Sequence, residues 1–256
     1  MRNSKVLKKL RAGQVATCFK TNFSEPKIVE MAGLAGFDCI WTCYEHCPVD
    51  LGVVEGQVYA AKAVDMDIIV RISKGSYSDF IRPLEMDATG IMVPHLMSLK
   101  EAKEIVHNTR FHPVGRRPID GGNSDGGFLY YGDTRSYIAD SNREKLVICQ
   151  IEDPEPMEEI EEIASIEGID MLFFGPGDYS HALGVPGDFN DARVKAAWKK
   201  VAEVCIKHKK FAGTVATAGN LEELYQWGYT FLNMNSDVGL LHKGMSEMLR
   251  LFDRIR

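Results

Sequence analysis

Apolar residues fall in short runs ended by Gly, Pro or a carboxylate, and these runs alternate with stretches whose apolar residues recur at helical spacing. Short runs rich in β-branched and aromatic residues predict buried strands, and the stretches between them predict helices. The strand candidates are 15–19, 37–42, 67–72, 90–94, 146–151, the run ending at Phe174, 211–215 and 231–234. Between them, Ser24, Glu25 and Pro26 open a helix that runs to Ala35 and is closed by Gly36. Further helices are expected at 51–64, 78–86, 99–109, 137–142, 158–165, 191–207, 221–227 and 237–256. The 191–207 stretch puts Val194, Ala197, Trp198, Val201, Val204 and Cys205 on one face. The last stretch places Leu241, Met245, Met248, Leu249 and Phe252 at core spacing.

Strands that each lead into a helix predict a (β/α)8 TIM barrel rather than an open doubly wound sheet. The 256 residues fit one such domain over 1–256, with no stretch that reads as a linker. The pattern fails only at 111–132, a Gly-rich segment without periodicity, and a loop this long is expected to be functional or mobile.

Composition narrows the function classes. Hydrophobic content of 45% and charged content of 26% are those of a soluble globular chain. The net charge of -6 argues against a nucleic acid or an anionic membrane as the main partner. No apolar run is long enough to span a bilayer, and residues 1–13 read as a short basic amphipathic helix without a secretory h-region, so a cytoplasmic protein is expected. The six cysteines are read as reduced thiols; Cys39, Cys43 and Cys47 lack the close pairing of a zinc motif.

The candidate chemistry sits where strands end. Gln150-Ile151-Glu152 and Phe173-Phe174-Gly175-Pro176-Gly177-Asp178 each carry an acid to the C-terminal end of a strand, and the intervening helix makes them neighbours at one rim. Two carboxylates with no close His or Cys suit a hard cation, Mg2+ or Mn2+, with Co2+ as the alternative. Arg71 ends an otherwise apolar strand, where a guanidinium needs an anion: Glu45, Glu152, or a substrate carboxylate or enolate oxygen. His46, in the loop after the second strand, is placed to move protons. The turn at Gly175 to Ser180 offers backbone N–H groups to a carboxylate or phosphate.

With these residues assembled, the chain resembles the HpcH/HpaI aldolases, metal-dependent class II pyruvate aldolases, over nearly its whole length. The resemblance rests on Ala35-Gly36-Phe37-Asp38, Glu45-His46-Cys47-Pro48, Val70-Arg71, Gly90-Ile91-Met92-Val93-Pro94, Pro113-Val114-Gly115-Arg116-Arg117, Gln150-Ile151-Glu152, and Phe174 to Ser180 with Leu183-Gly184. It implies a barrel of the phosphoenolpyruvate/pyruvate-binding type, in trimers or hexamers with the last helix exchanged between subunits. It also implies Glu152 and Asp178 as metal ligands, Arg71 as enolate stabiliser and His46 as the acid/base group. Gln150, Gly177 and Asp178 would hold the 2-oxo acid, and the reaction would cleave a 4-hydroxy-2-oxo acid to pyruvate and an aldehyde. The chain departs from the family at Cys43, where many members have an aspartate paired with the histidine, and at Glu85 and Asp87, where Asp and Gly are usual.

Three other readings compete. Lys74 at the same rim suggests a Schiff-base aldolase. The missing aspartate suggests a barrel that binds metal and 2-oxo acid without turnover. Arg116 and Arg117 suggest a lyase or mutase of phosphoenolpyruvate-like or acyl-CoA substrates.

Overall fold

A computed structural model describes residues 1–253 and 255. Eight parallel strands close into a barrel in sequence order: β1 (Ala16–Thr21), β2 (Cys39–Cys43), β3 (Asp67–Arg71), β4 (Gly90–Val93), β5 (Leu146–Ile151), β6 (Met171–Phe174), β7 (Phe211–Ala216) and β8 (Phe231–Ser236). The helices are α1 (Lys5–Arg11), α2 (Pro26–Leu34), α3 (Leu51–Ala63), α4 (Tyr77–Glu85), α5 (Leu99–Thr109), α6 (Thr134–Glu144), α7 (Ile160–Ser165), α8 (Pro176–Ala182), α9 (Ala192–Lys207), α10 (Leu221–Trp227) and α11 (Asp237–Phe252). Among the described residues no helix is long and apolar enough to cross a membrane.

Because side chains alternate along a strand, each strand feeds two cores. Outward residues such as Ile40, Ile68, Val70, Val147 and Cys149 pack under the helices. Inward residues such as Cys18, Trp41, Ile69, Ile148 and Phe173 fill the barrel. The alternation carries Arg71, Gln150 and the following Glu152 inward at the C-terminal rim. At the other end α1 plugs the barrel with Val6, Leu7 and Leu10, and buried Asp67 accepts hydrogen bonds from Ser4 Oγ at 2.7 Å and Val6 N–H at 2.8 Å. The rings of Phe173 and Phe231 meet edge to face because β7 offers Gly213 between them: a Cβ there would lie 2.8 Å from Phe173.

Three expectations are corrected. The apolar stripe of α11 is not core: Leu241, Met245, Met248, Leu249 and Phe252 are 44% to 58% exposed. Helical periodicity reports an apolar face without saying what covers it. Arg254 and Arg256, the other part of the expected last helix, lie outside the described residues. Arg117 is no phosphate ligand, since its buried guanidinium donates to Asp125 at 2.7 Å and lies 4.7 Å from the ring centre of Phe111. Tyr137 also donates to Asp125, at 2.9 Å, so the 111–132 segment is pinned through a buried charge pair. The helix after it begins earlier than 137–142, because Asp133 caps Ser136 N–H at 2.9 Å.

Candidate active site

The C-terminal ends of the strands surround a cavity of about 280 Å3 lined by Lys20, Trp41, His46, Arg71, Gln150, Glu152 and Asp178 among others. His46, Arg71, Gln150, Glu152, Gly177 and Asp178 therefore share one rim. Arg71, at the end of β3, is buried; its Nε lies 3.0 Å from Glu45 Oε2, and its Nη2 donates to Cys43 Sγ at 3.1 Å. Its guanidinium carbon stands 4.8 Å from the centre of the Trp41 ring. Of the anions open to Arg71, Glu45 is thus present, as an ion pair without hydrogen-bond alignment.

Cys43 takes part in the same knot, accepting the His46 N–H at 3.3 Å. Burial pushes its thiol up, but the Arg71 charge and the amide hydrogen bonds outweigh it and lower the pKa. Here the sulfur meets the guanidinium and a backbone amide. The His46 ring instead faces Glu45, with Nε2 3.5 Å from Oε2, and is largely exposed.

Glu152, just beyond β5, has a side chain 1% exposed. Its Oε1 accepts the His95 N–H at 2.9 Å and its Oε2 accepts from the Gln150 amide. Burial pushes its carboxyl up to about 7; His95 and Arg71 oppose that, and the Asp178 charge adds to it. The site needs Gly175 between β6 and α8, because a Cβ there would lie 2.7 Å from Glu152 Oε2. Asp178 follows in the first turn of α8, exposed, and Gly177 beside it opens onto free space. Gln150 Oε1 is buried with no protein partner, an orphan acceptor in the cavity that Glu152 and Asp178 also line. That oxygen-rich donor set fits a hard divalent cation.

Two residues that the sequence reading missed, His95 and its partner Asp153, belong to the site. His95 follows the strand-ending Pro94 in a left-handed conformation with φ 48°, and its Nδ1 lies 2.8 Å from Asp153 Oδ2. Burial disfavours the charged ring, but Asp153, Glu152 and Glu45 outweigh it and raise its pKa. Its position one residue past a strand-closing proline was the available signal. Lys74, the Schiff-base candidate, holds its ammonium against Glu101 at 2.8 Å and the His95 carbonyl, so it presents no free amine.

Residues 17–243 match the HpcH/HpaI aldolase/citrate lyase family. The chain belongs to that family. It is accordingly a carbon–carbon lyase in a divalent-metal-dependent group of enzymes. A relative from Shigella boydii named 5-keto-4-deoxy-D-glucarate aldolase is 28% identical over 96% of this chain and 95% of its own length. The HpcH/HpaI aldolase of Desulfitobacterium hafniense is 25% identical with a TM-score of 0.88, covering 96% of this chain and 95% of that one. Citrate synthase SbnG, 24% identical with a TM-score of 0.89 and 97% of each chain covered, shares the fold.

Proposed function

We propose that the protein catalyses reversible, metal-dependent aldol cleavage of a 4-hydroxy-2-oxo acid to pyruvate, or a related 2-oxo acid, and an aldehyde. The observation that carries this reading is the convergence of Arg71, Gln150, Glu152 and Asp178 on one cavity at the strand ends. The substrate named for the Shigella relative belongs to this class: numbered from its keto end, it is a 4-hydroxy-2-oxo acid.

Glu152 and Asp178 would hold Mg2+, Mn2+ or Co2+, and the bound cation supplies Lewis-acid stabilisation of the charge that develops on the keto oxygen. Arg71, immobilised by Glu45, Cys43 and Trp41, adds a fixed positive charge beside that oxygen. Gln150 and the backbone N–H groups at Gly177 and Asp178 orient the keto acid. His46 takes the proton of the 4-hydroxyl as the C3–C4 bond breaks; C4 leaves as the aldehyde, the bond's electrons form the enolate, and C3 regains a proton to become the pyruvate methyl. We further propose a homo-oligomer, a trimer or hexamer, supported by the uncovered apolar face of α11, and a cytoplasmic location, which suits six unpaired thiols.

Pyruvate methyl-proton exchange in D2O, followed by NMR, tests the reading. Exchange is expected with Mg2+ or Mn2+, to stop with EDTA, and to fall by at least about a hundredfold in Arg71→Ala and Glu152→Ala. Metal-loaded wild-type protein that exchanges no methyl proton would overturn it.

A further inference from the structure

Lys20 lines the same cavity and has no task in the chemistry above. Strand alternation directs it there: Cys18, two residues earlier on β1, fills the barrel interior, and Lys20 pairs in register with Trp41 of β2, another interior residue. Its ammonium lies 5.1 Å from the centre of the Trp41 ring, and the Arg71 guanidinium carbon lies 4.8 Å from the same centre. A ring face orients a cation without neutralising it. Arg71 has Glu45 as its counter-charge. Among the described residues Lys20 has no carboxylate partner and no hydrogen-bond acceptor. A lysine kept for the fold alone is paired or freely solvated, and this one is half-buried and unpaired at the mouth of the barrel.

The order of the strands sets where that charge stands. Gln150 lies on β5 with Glu152 just beyond it, and Gly177 and Asp178 follow β6, whereas Lys20 is on β1. In a closed ring of eight strands, β1 and β5 are opposite each other. A 2-oxo acid anchored at β5 and β6 therefore extends its far carbons across the mouth towards β1. The charges divide in the same way. Glu152 and Asp178 are the counter-charges of the cation and Glu45 that of Arg71, which leaves the Lys20 ammonium positive where the aldehyde half lies. One ammonium matches the single charge of a carboxylate. A phosphate, nearly a dianion, calls for a second cation, and Arg71 is already engaged by Glu45 and Cys43.

We propose that Lys20 is a specificity-determining residue that holds a carboxylate on the aldehyde half, so that the substrate is a dicarboxylic 4-hydroxy-2-oxo acid and the aldehyde released is itself an acid. The ion pair forms at a partly hydrated rim, so it discriminates charged from uncharged aldehyde halves more than it adds raw affinity. The inference rests on the 2-oxo-acid reading above for the end held at β5 and β6, and deepens it by naming the chemistry of the other end.

Calorimetry on Mg2+-loaded full-length protein compares 2-oxoglutarate with 2-oxopentanoate, and 2-oxoadipate with 2-oxohexanoate. Each pair has one chain length and differs in the terminal carboxylate, and none carries the 4-hydroxyl that cleavage needs. Wild type is expected to bind at least one diacid at least about tenfold more tightly than its uncharged partner, a preference that shrinks with added salt. Lys20→Met should reduce the preference to within about twofold. Lys20→Arg, which keeps the charge, should retain most of it; circular dichroism checks the fold of both variants. Equal binding of the paired acids by wild type, or a preference that survives in Lys20→Met, overturns the assignment and leaves the aldolase reading standing. A Lys20-dependent preference in a protein that exchanges no pyruvate methyl proton sustains the assignment and overturns the aldolase reading. Wild type that binds no 2-oxo acid overturns both.

Discussion

Gly175 governs where the Glu152 carboxylate can sit. A methyl group there would press on Glu152 Oε2 at 2.7 Å, on Glu152 Cβ at 2.9 Å and on Gln150 Nε2 at 3.0 Å, so Gly175→Ala must displace the carboxylate or β6. The variant is expected to keep the barrel, read by circular dichroism, while metal-dependent pyruvate exchange falls at least about tenfold, since small misplacements of catalytic groups are costly. Asp87 shows a departure from the family turned to structure. It adopts φ 71°, the left-handed region that suits the family's glycine, and its carboxylate pairs with Lys62 at 2.7 Å and with the buried Lys145 at 2.6 Å. Asp87→Ala would leave the Lys145 ammonium buried and unpaired, at a cost of about 3–5 kcal/mol, read as a lower urea midpoint at unchanged slope. His95 was invisible at this scale because nothing in a lone histidine announces a carboxylate partner at Asp153 and two more across the rim.

At the scale of elements, Glu161 on α7 ties that short helix to α9. Its carboxyl is held down to about 2, from an ordinary 4.5, by hydrogen bonds from Lys207, Lys200 and His208. The unfolded chain therefore takes up this proton first as the pH falls, so the contribution is complete above 4.5 and is lost towards about 2. The melting-temperature gap between wild type and Glu161→Gln should accordingly shrink over that window, and shrink with added salt because the cluster is exposed. Several helix boundaries carry their own cap or closing glycine, as at Asp50, Ser98 and Gly228. The 111–132 segment was not, since what orders it is a buried Arg117–Asp125 pair and the side chain of Tyr137, contacts that have no periodicity.

The whole molecule leaves one surface unaccounted for within a single chain. Leu240 and Leu241 of α11 border an apolar cavity of about 260 Å3 with Phe19, Ile28, Met31 and Phe37, and the helix beyond carries Met245, Met248 and Leu249 outward. Exposed apolar patches of this kind mark interaction surfaces. Light scattering is expected to give a trimer or hexamer, and Met245→Glu combined with Leu249→Glu to reduce its mass to that of smaller species with the barrel intact. A wild-type monomer at micromolar concentration would overturn the homo-oligomer.

The barrel and its chemical rim were legible in the chain itself. Strand runs ending in Arg71, Glu152 and the Gly175–Asp178 turn put charged groups at strand ends, and strand alternation with parallel neighbours leaves such groups one place to meet. What only the tertiary structure decided is how those groups are partnered: Arg71 with Glu45 and Cys43, Glu152 with Gln150 and the His95 amide, and His95 with Asp153. Periodicity specifies which face a residue takes along its own element. The distance between side chains on different strands depends on barrel closure and loop conformation, which no local pattern encodes, and for the same reason the stripe on α11 reads alike whether its own core or a second chain covers it.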